Sequence, residues 1–222
     1  MKKTSLLILL FLLLNSNSQL FSQTTQPKSA FVSINTGGFI TAHQDFTKVY
    51  SSSFGLTYGA GVGLPLSSRM HLYGKATYFS KTGVPVLYSN TYDSTGAIIK
   101  STETKDGTAS FKQWIVNGGL QYDFPLSEDF TVAINGGATY SSIKENRSSL
   151  NGTVNGGING SGILGYFTGL SLEKSFSDSP FAVFAESQYN FSRNDILNFV
   201  GNYGGTNLTI GIRYYFKDRR KS

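Results

Sequence analysis

The chain contains no cysteine, which excludes disulfides, thiolate metal sites and a lipid-modified Cys. It has two histidines, His43 and His71, too far apart in sequence to give a metal-ligand spacing. Charged residues make up only 14% of the 222, against roughly 25–35% on an ordinary soluble surface. Long apolar runs are also missing. The only one is residues 6–14, nine in number, where a membrane-spanning helix needs ~20. The net charge of +6 is concentrated at the ends: Lys2 and Lys3 supply two of the six, and the tail KDRRKS supplies a net three. The body is close to neutral, so no basic face for nucleic acid is expected. The Gly-rich stretches NTGGF and YGAGVG precede no helical pattern, so they do not read as phosphate loops, and no cofactor is expected.

What the sequence does have is glycine (25 residues), 17 Phe and 13 Tyr. It begins with a charged start, a short apolar run and then a polar region in which Ser22 precedes Gln23. These are the parts of a cleavable export signal, assigned to residues 1–22; a retained anchor is the alternative. A short lead, 23–29, and a barrel domain, 30–216, follow, with 217–222 as a basic tail. Two stretches, GLPLSSRMHLY (63–73) and DFPLSEDFTVA (123–133), share Pro-Leu-Ser and a few polar residues before a new alternating run. EKSFSDSPFAVFA (173–185) takes the same part. Pro, Ser and Asp favour compact turns.

Around these turns lie eight strand-like runs, at about 30–40, 55–65, 70–80, 112–124, 130–141, 163–174, 181–191 and 207–216. Longer polar connections, about 41–54, 82–111, 142–162 and 192–206, alternate with the three short turns. In the third, Asn-Gly recurs at 151, 155 and 159, which reads as a loop or hairpin tip. Four long connections alternating with three short ones are the layout of an up-and-down eight-stranded barrel with both termini at the short-turn end.

Within the runs, apolar and polar residues alternate. Trp114, Val116, Leu120, Tyr122 and Phe124 oppose Gln113, Asn117, Gln121 and Asp123; Leu208, Ile210, Ile212, Tyr214 and Phe216 oppose Thr209, Gly211 and Arg213. Tyr73 and Phe79 break the pattern on the polar side. A soluble, lipocalin-like cup would turn the apolar face inward. Its outer surface would then be glycine, threonine and amides with few charges. The inverse suits lipid outside and a narrow, side-chain-filled interior. Aromatic placement supports this. Tyr122, Phe124, Phe130, Phe176, Phe181, Tyr214 and Phe216 cluster at the short-turn ends. Tyr78, Tyr140, Tyr166, Tyr189 and Phe191 lie toward the long loops. Two interface girdles are the reading.

On LYGKATYFSKTG (72–83), these turn-and-strand stretches and the closing GIRYYF (211–216), the chain resembles the small outer-membrane β-barrels, with their OmpA-type and OmpX-type members. It also resembles the porin-family barrels of Bacteroidota, over about residues 24–216. The resemblance implies outer-membrane lipid and lipopolysaccharide as surroundings. It also implies that Phe216 is the aromatic read by the barrel-assembly machinery, although six residues follow it here.

Under this reading Lys75, Asp123, Glu173, Glu186 and Arg213 face the lumen, with His71 near one mouth. Burying charge requires partners, so a mixed-sign network is expected, with Glu186 paired to Arg213 and Lys75 approaching from across. Catalysis would need a base and an orienting carboxylate. His43 with Asp45 and the serines at 51–53, or His71 at the short-turn end, are the only candidates. The expectation is therefore a non-enzymatic barrel presenting its loops, 82–111 and 142–162 above all, to an extracellular ligand or surface. A narrow channel, or a barrel component of an envelope assembly or secretion system, is the alternative.

Overall fold

In the computed structural model, which describes residues 29–44, 46–148, 155–194 and 201–216, the two Pro-Leu-Ser stretches build one and the same turn. At the first, the Leu66 and Ser67 amides both donate to the Met70 carbonyl. At the second, the Leu126 and Ser127 amides both donate to that of Phe130. Each turn joins two long strands. The strands are β1 (Phe31–Thr41), β2 (Phe54–Pro65), β3 (Met70–Gly83), β4 (Val86–Tyr92), β5 (Ile98–Lys105), β6 (Thr108–Pro125), β7 (Phe130–Ser148), β8 (Asn155–Ser175), β9 (Phe181–Phe191), β10 (Arg193–Asn194), β11 (Gly201–Asn202) and β12 (Gly205–Tyr215). One short helix, α1 (Phe46–Tyr50), lies between β1 and β2.

Eight of these strands close a barrel in the order β1, β12, β9, β8, β7, β6, β3, β2; β4 pairs with β5, and β10 with β11. All barrel pairings are antiparallel. Followed round the wall from Asn35, the register reaches Thr131 on β7 by one route and Ser141 by the other, ten residues apart. An eight-stranded barrel with that stagger has strands tilted by about 40° and a radius of about 8 Å, just wide enough for side chains to fill.

The exposed side chains on the wall are Ile34, Leu56, Val62, Leu72, Val116, Leu120, Leu170, Leu172, Ile210 and Ile212, while Asn35, Gln113, Asn117, Gln121, Gln188 and Arg213 are buried inside. The apolar face thus points outward, as the alternation implies, and the cup arrangement is excluded. On four successive strands an outward aromatic recurs after ten residues: Phe124 and Trp114, Phe130 and Tyr140, Phe176 and Tyr166, Phe181 and Phe191. At ~3.3 Å per residue and this tilt, ten residues rise about 25 Å along the axis, the height of the apolar band of an outer-membrane barrel.

Several expected loops are not loops. The connection 142–162 is mostly strand: β7 and β8 run on past the upper aromatics, outside of which about 20 Å of sheet projects. Region 82–111 contains the β4–β5 hairpin. Its tip is an Asx turn, in which the Asp93 carboxylate accepts from the Thr95 and Ala97 amides and Gly96 takes a φ of 84°. Region 41–54 contains α1. The two strand departures share one cause. β5 is exposed on both faces, and beyond the upper aromatics the outward face of β7 carries Ser142, Lys144 and Asn146 in place of apolar residues, so the apolar–polar alternation disappears. No described helix is long and apolar enough to cross a membrane. The export segment 1–22, the start of the 23–29 lead and the tail 217–222 lie outside the described residues, as do Asp45 and Asn151.

Candidate functional site

Inside the barrel, glycines make room for the large groups opposite them. Phe31 pairs across to Gly63, Lys75 to Gly61 and Phe184 to Gly211. A Cβ on Gly63 would clash with the Phe31 ring. Ring-over-glycine pairs of this kind hold an aromatic flat against the strand beside it.

The half of the lumen nearer the short turns holds two ionic groups. Lys75 pairs with Glu186, whose other oxygen accepts from Tyr73 Oη at 3.1 Å and Asn135 Nδ2 at 3.3 Å. Arg213 Nη1 donates to Glu173 Oε2 at 2.6 Å and its Nη2 lies 3.4 Å from Gln121 Oε1, while Tyr215 Oη sits 2.8 Å from both Glu173 oxygens. The guanidinium carbon lies 4.6 Å from each of the Phe31 and Phe184 ring centroids. Below, Gln121 donates to Asp123 at 2.7 Å, and His71 Nδ1 lies 3.6 Å from the same carboxylate. All these charged side chains are buried.

The expected Glu186–Arg213 pair does not form. Glu186 stands opposite Thr209, and Arg213 opposite Ala182. The ring of Phe184, opposite Gly211, occupies the space between. Each charge instead finds its partner across or obliquely through the lumen.

Toward the long loops, the filling changes. An amide band, in which Asn117 donates to Gln188 at 2.9 Å and Thr57 to Asn207 at 3.2 Å, gives way to an apolar cluster. Phe39, Phe79, Phe111, Ile115, Ile143 and Ile163 line the wall, and α1 drops Phe46 and Tyr50 among them. Phe46 meets Phe111 edge-on at 5.1 Å and Phe79 at 6.1 Å. Tyr50 Oη donates to the buried Glu145 at 2.5 Å. Arg147 grips the same carboxylate with Nε and Nη2, both at 3.1 Å. Burial, and then the Glu145 carboxylate, hold the Tyr50 hydroxyl protonated far above the usual tyrosine range. Burial raises Tyr203 as well, whose ring packs on His43 at 4.8 Å.

None of Phe46, Tyr50, Glu145 or Arg147 is a candidate in the sequence. The available signals were Phe79 on the polar side of its strand and the same-face pair Glu145 and Arg147. Trp114, read in the sequence as an apolar-face residue but not as part of a girdle, packs against Tyr78 at 4.9 Å and completes the upper girdle. The other girdle residues Tyr122, Phe130, Tyr140, Phe181, Tyr189 and Tyr214 are exposed on the outer wall, and Phe124 packs against Tyr122 at 4.8 Å. Phe216 is exposed just past β12, its amide bonded to the Ala30 carbonyl at 2.9 Å. Phe216 also meets Tyr214 edge-on at 5.3 Å.

Chemically, His71 beside Asp123 has the form of a base with its orienting carboxylate, but its ring has no exposed surface and packs on Phe31 at 5.6 Å. His43 is engaged by Tyr203. Among the described residues no group of three His, Cys, Asp or Glu is placed to hold a metal.

No family model matches the chain, and no curated protein matches it. Solved structures do. The Neisserial surface protein A (NspA) superposes with a TM-score of 0.56 at 12% identity, covering 84% of this chain and 97% of that one. OprG from Pseudomonas aeruginosa gives 0.54 at 11%, covering 87% and 99%. Ail of Yersinia pestis, in its complex with the heparin analogue sucrose octasulfate, gives 0.51 at 13%, covering 86% and 100%. The fold is that of the small eight-stranded outer-membrane barrels.

Proposed function

We propose that the chain is an integral protein of the outer membrane, inserted with its long-loop end outside and both ends of the barrel domain in the periplasm. It works as a non-enzymatic surface element, not as a pore. The observation that carries this reading is the double filling of the lumen, by paired charges below and by α1 with its aromatic partners above. A barrel about 8 Å in radius has no space for a channel beside such groups. What remains for contact is the outside: the projecting β6–β7–β8 sheet and the β4–β5 hairpin, where Tyr92, Ile98 and Ile99 are exposed. Recognition commonly sits on such segments. Ail, a like-folded barrel described as an attachment protein, is known with a polysulfated sugar analogue bound, which fits a surface-contact role.

The rest of the assignment follows from that placement. Residues 1–22 are the export signal, 23–29 the lead, and 217–222 a periplasmic tail. Phe216 presents the assembly signal. Kinship with the porin-family barrels of Bacteroidota rests on residue pattern. The purified protein in planar bilayers is expected to show no steady conductance; large, stable openings would overturn the closed-lumen reading. Its migration in gels is expected to shift on heating, and Leu120→Arg, aimed into the band between the girdles, to weaken the inserted barrel by roughly 2–4 kcal/mol.

A further inference from the structure

On the outer wall, Lys112 of β6 stands directly opposite Lys144 of β7. Both side chains are exposed and turned outward. Directly opposed like charges repel and work against strand pairing. Among the described residues nothing acidic flanks them: their outward neighbours on these strands and on β3 are Ser80, Ser110, Trp114, Ser142 and Asn146. The pair lies one outward position beyond the Trp114–Ser142 row, hence about 5 Å above the Trp114 ring at this tilt. That is the level at which an aromatic girdle gives way to lipid headgroups. Two lysines, with serines beside them, therefore stand opposite each other at the height of the headgroups.

We propose that Lys112 and Lys144 form a binding site for the phosphate of a phosphorylated glycolipid in the outer leaflet. The proposal rests on the membrane orientation given above. A phosphate between the two ammoniums turns their repulsion into two charge-assisted contacts. The low dielectric of the adjoining lipid strengthens those contacts. Trp114 and Tyr78 below support the sugar or upper acyl chains.

The test uses the barrel domain with its tail, reconstituted in phosphatidylcholine bilayers containing diphosphoryl lipid A, fully dephosphorylated lipid A, or neither. The readout is the temperature of the heat-dependent gel shift. A parent that is stabilised by about 3 °C or more in the diphosphoryl lipid alone, as ligand linkage requires, supports the site. So does loss of that increment in Lys112→Gln/Lys144→Gln, partial loss in each single variant, and retention in a Lys100→Gln/Lys105→Gln control on the β4–β5 hairpin. Full retention of the increment in the Lys112→Gln/Lys144→Gln protein overturns the proposal while leaving the membrane barrel intact. The same increment from inorganic phosphate in detergent would also overturn it, since the site would then hold a free anion. A parent that never inserts overturns both this site and the orientation on which it rests.

Discussion

In the lower half of the lumen, Lys75, Glu186, Arg213 and Glu173 fill the space with paired charges; in the upper half, Phe39, Phe46, Phe79 and Phe111 fill it with rings. The lower groups all come from the wall strands, and the stagger of the barrel decides which of them meet. The upper cluster is completed by a segment that belongs to no strand. α1 is held by its side chains and by one backbone bond, from the Val84 amide to the Val49 carbonyl, none of them part of a barrel strand pairing, whereas Arg213 and Glu173 project from the paired strands β12 and β8. The lower filling should therefore be part of the folding of the barrel, and the upper filling a docked element with its own equilibrium.

The sharpest way to break this contrast is to strand a charge in the lower half. Glu173→Ala leaves the Arg213 guanidinium buried between two rings without its carboxylate. A broken buried pair costs about 3–5 kcal/mol, and the loss is expected in urea unfolding of the whole barrel in lipid. Replacing both partners with apolar groups, Glu173→Leu with Arg213→Met, should recover most of it, because no charge then remains to be desolvated. If Glu173→Ala unfolds like the parent, the lower filling is not integral.

A smaller and local effect is expected above. Phe46→Ala removes a ring worth about 1.5–3 kcal/mol of burial, but from α1 docking alone. Urea unfolding of the barrel should stay close to that of the parent, while limited proteolysis cuts α1 faster than in the parent; the lumen stays closed, because the paired charges below still fill it. A matching loss of global stability would show that α1 is as integral as the ion pairs, and the contrast would fail. Tyr50→Phe should act in the same direction and more weakly. A hydrogen bond to a charged acceptor contributes about 1.5–3 kcal/mol, and Arg147 still holds Glu145 when the hydroxyl is gone. The expected outcome is a smaller gain in α1 cleavage than that of Phe46→Ala.

The same contrast explains what could be read from the sequence. Which way Lys75, Glu173, Glu186 and Arg213 point follows from strand parity, a local property, and that much was legible. Who pairs with whom was not. Pairing depends on a ten-residue stagger accumulated around all eight strands, and one intervening ring, Phe184, is enough to separate Glu186 from Arg213. The upper cluster was legible only as an irregularity. Phe79 and Tyr73 sit on the polar side of β3, Phe79 because its partners lie on α1 and on other strands, and Tyr73 because its hydroxyl serves Glu186. Strands β7 and β8 were cut short for the opposite reason, since the sequence of their upper ends carries no apolar–polar alternation to read.

Alkali gives the finest discrimination between the two fillings, because it acts on the seat of α1 through one hydroxyl. Burial and the Glu145 carboxylate push the Tyr50 ionisation upward from its usual value near 10. A group raised in the folded state contributes docking free energy that is fully present below that usual value. The contribution is lost as pH climbs through the raised one. Cleavage of α1 in the parent by a protease active in alkali should therefore keep its neutral rate through about pH 10 and quicken only above it. The increment over Tyr50→Phe isolates this hydroxyl from lysines that titrate in the same range. Faster cleavage in the parent that begins near pH 8, and is absent from Tyr50→Phe, would mean that Tyr50 ionises easily. α1 would then be wet and loosely held, not docked as a ring-filled seal.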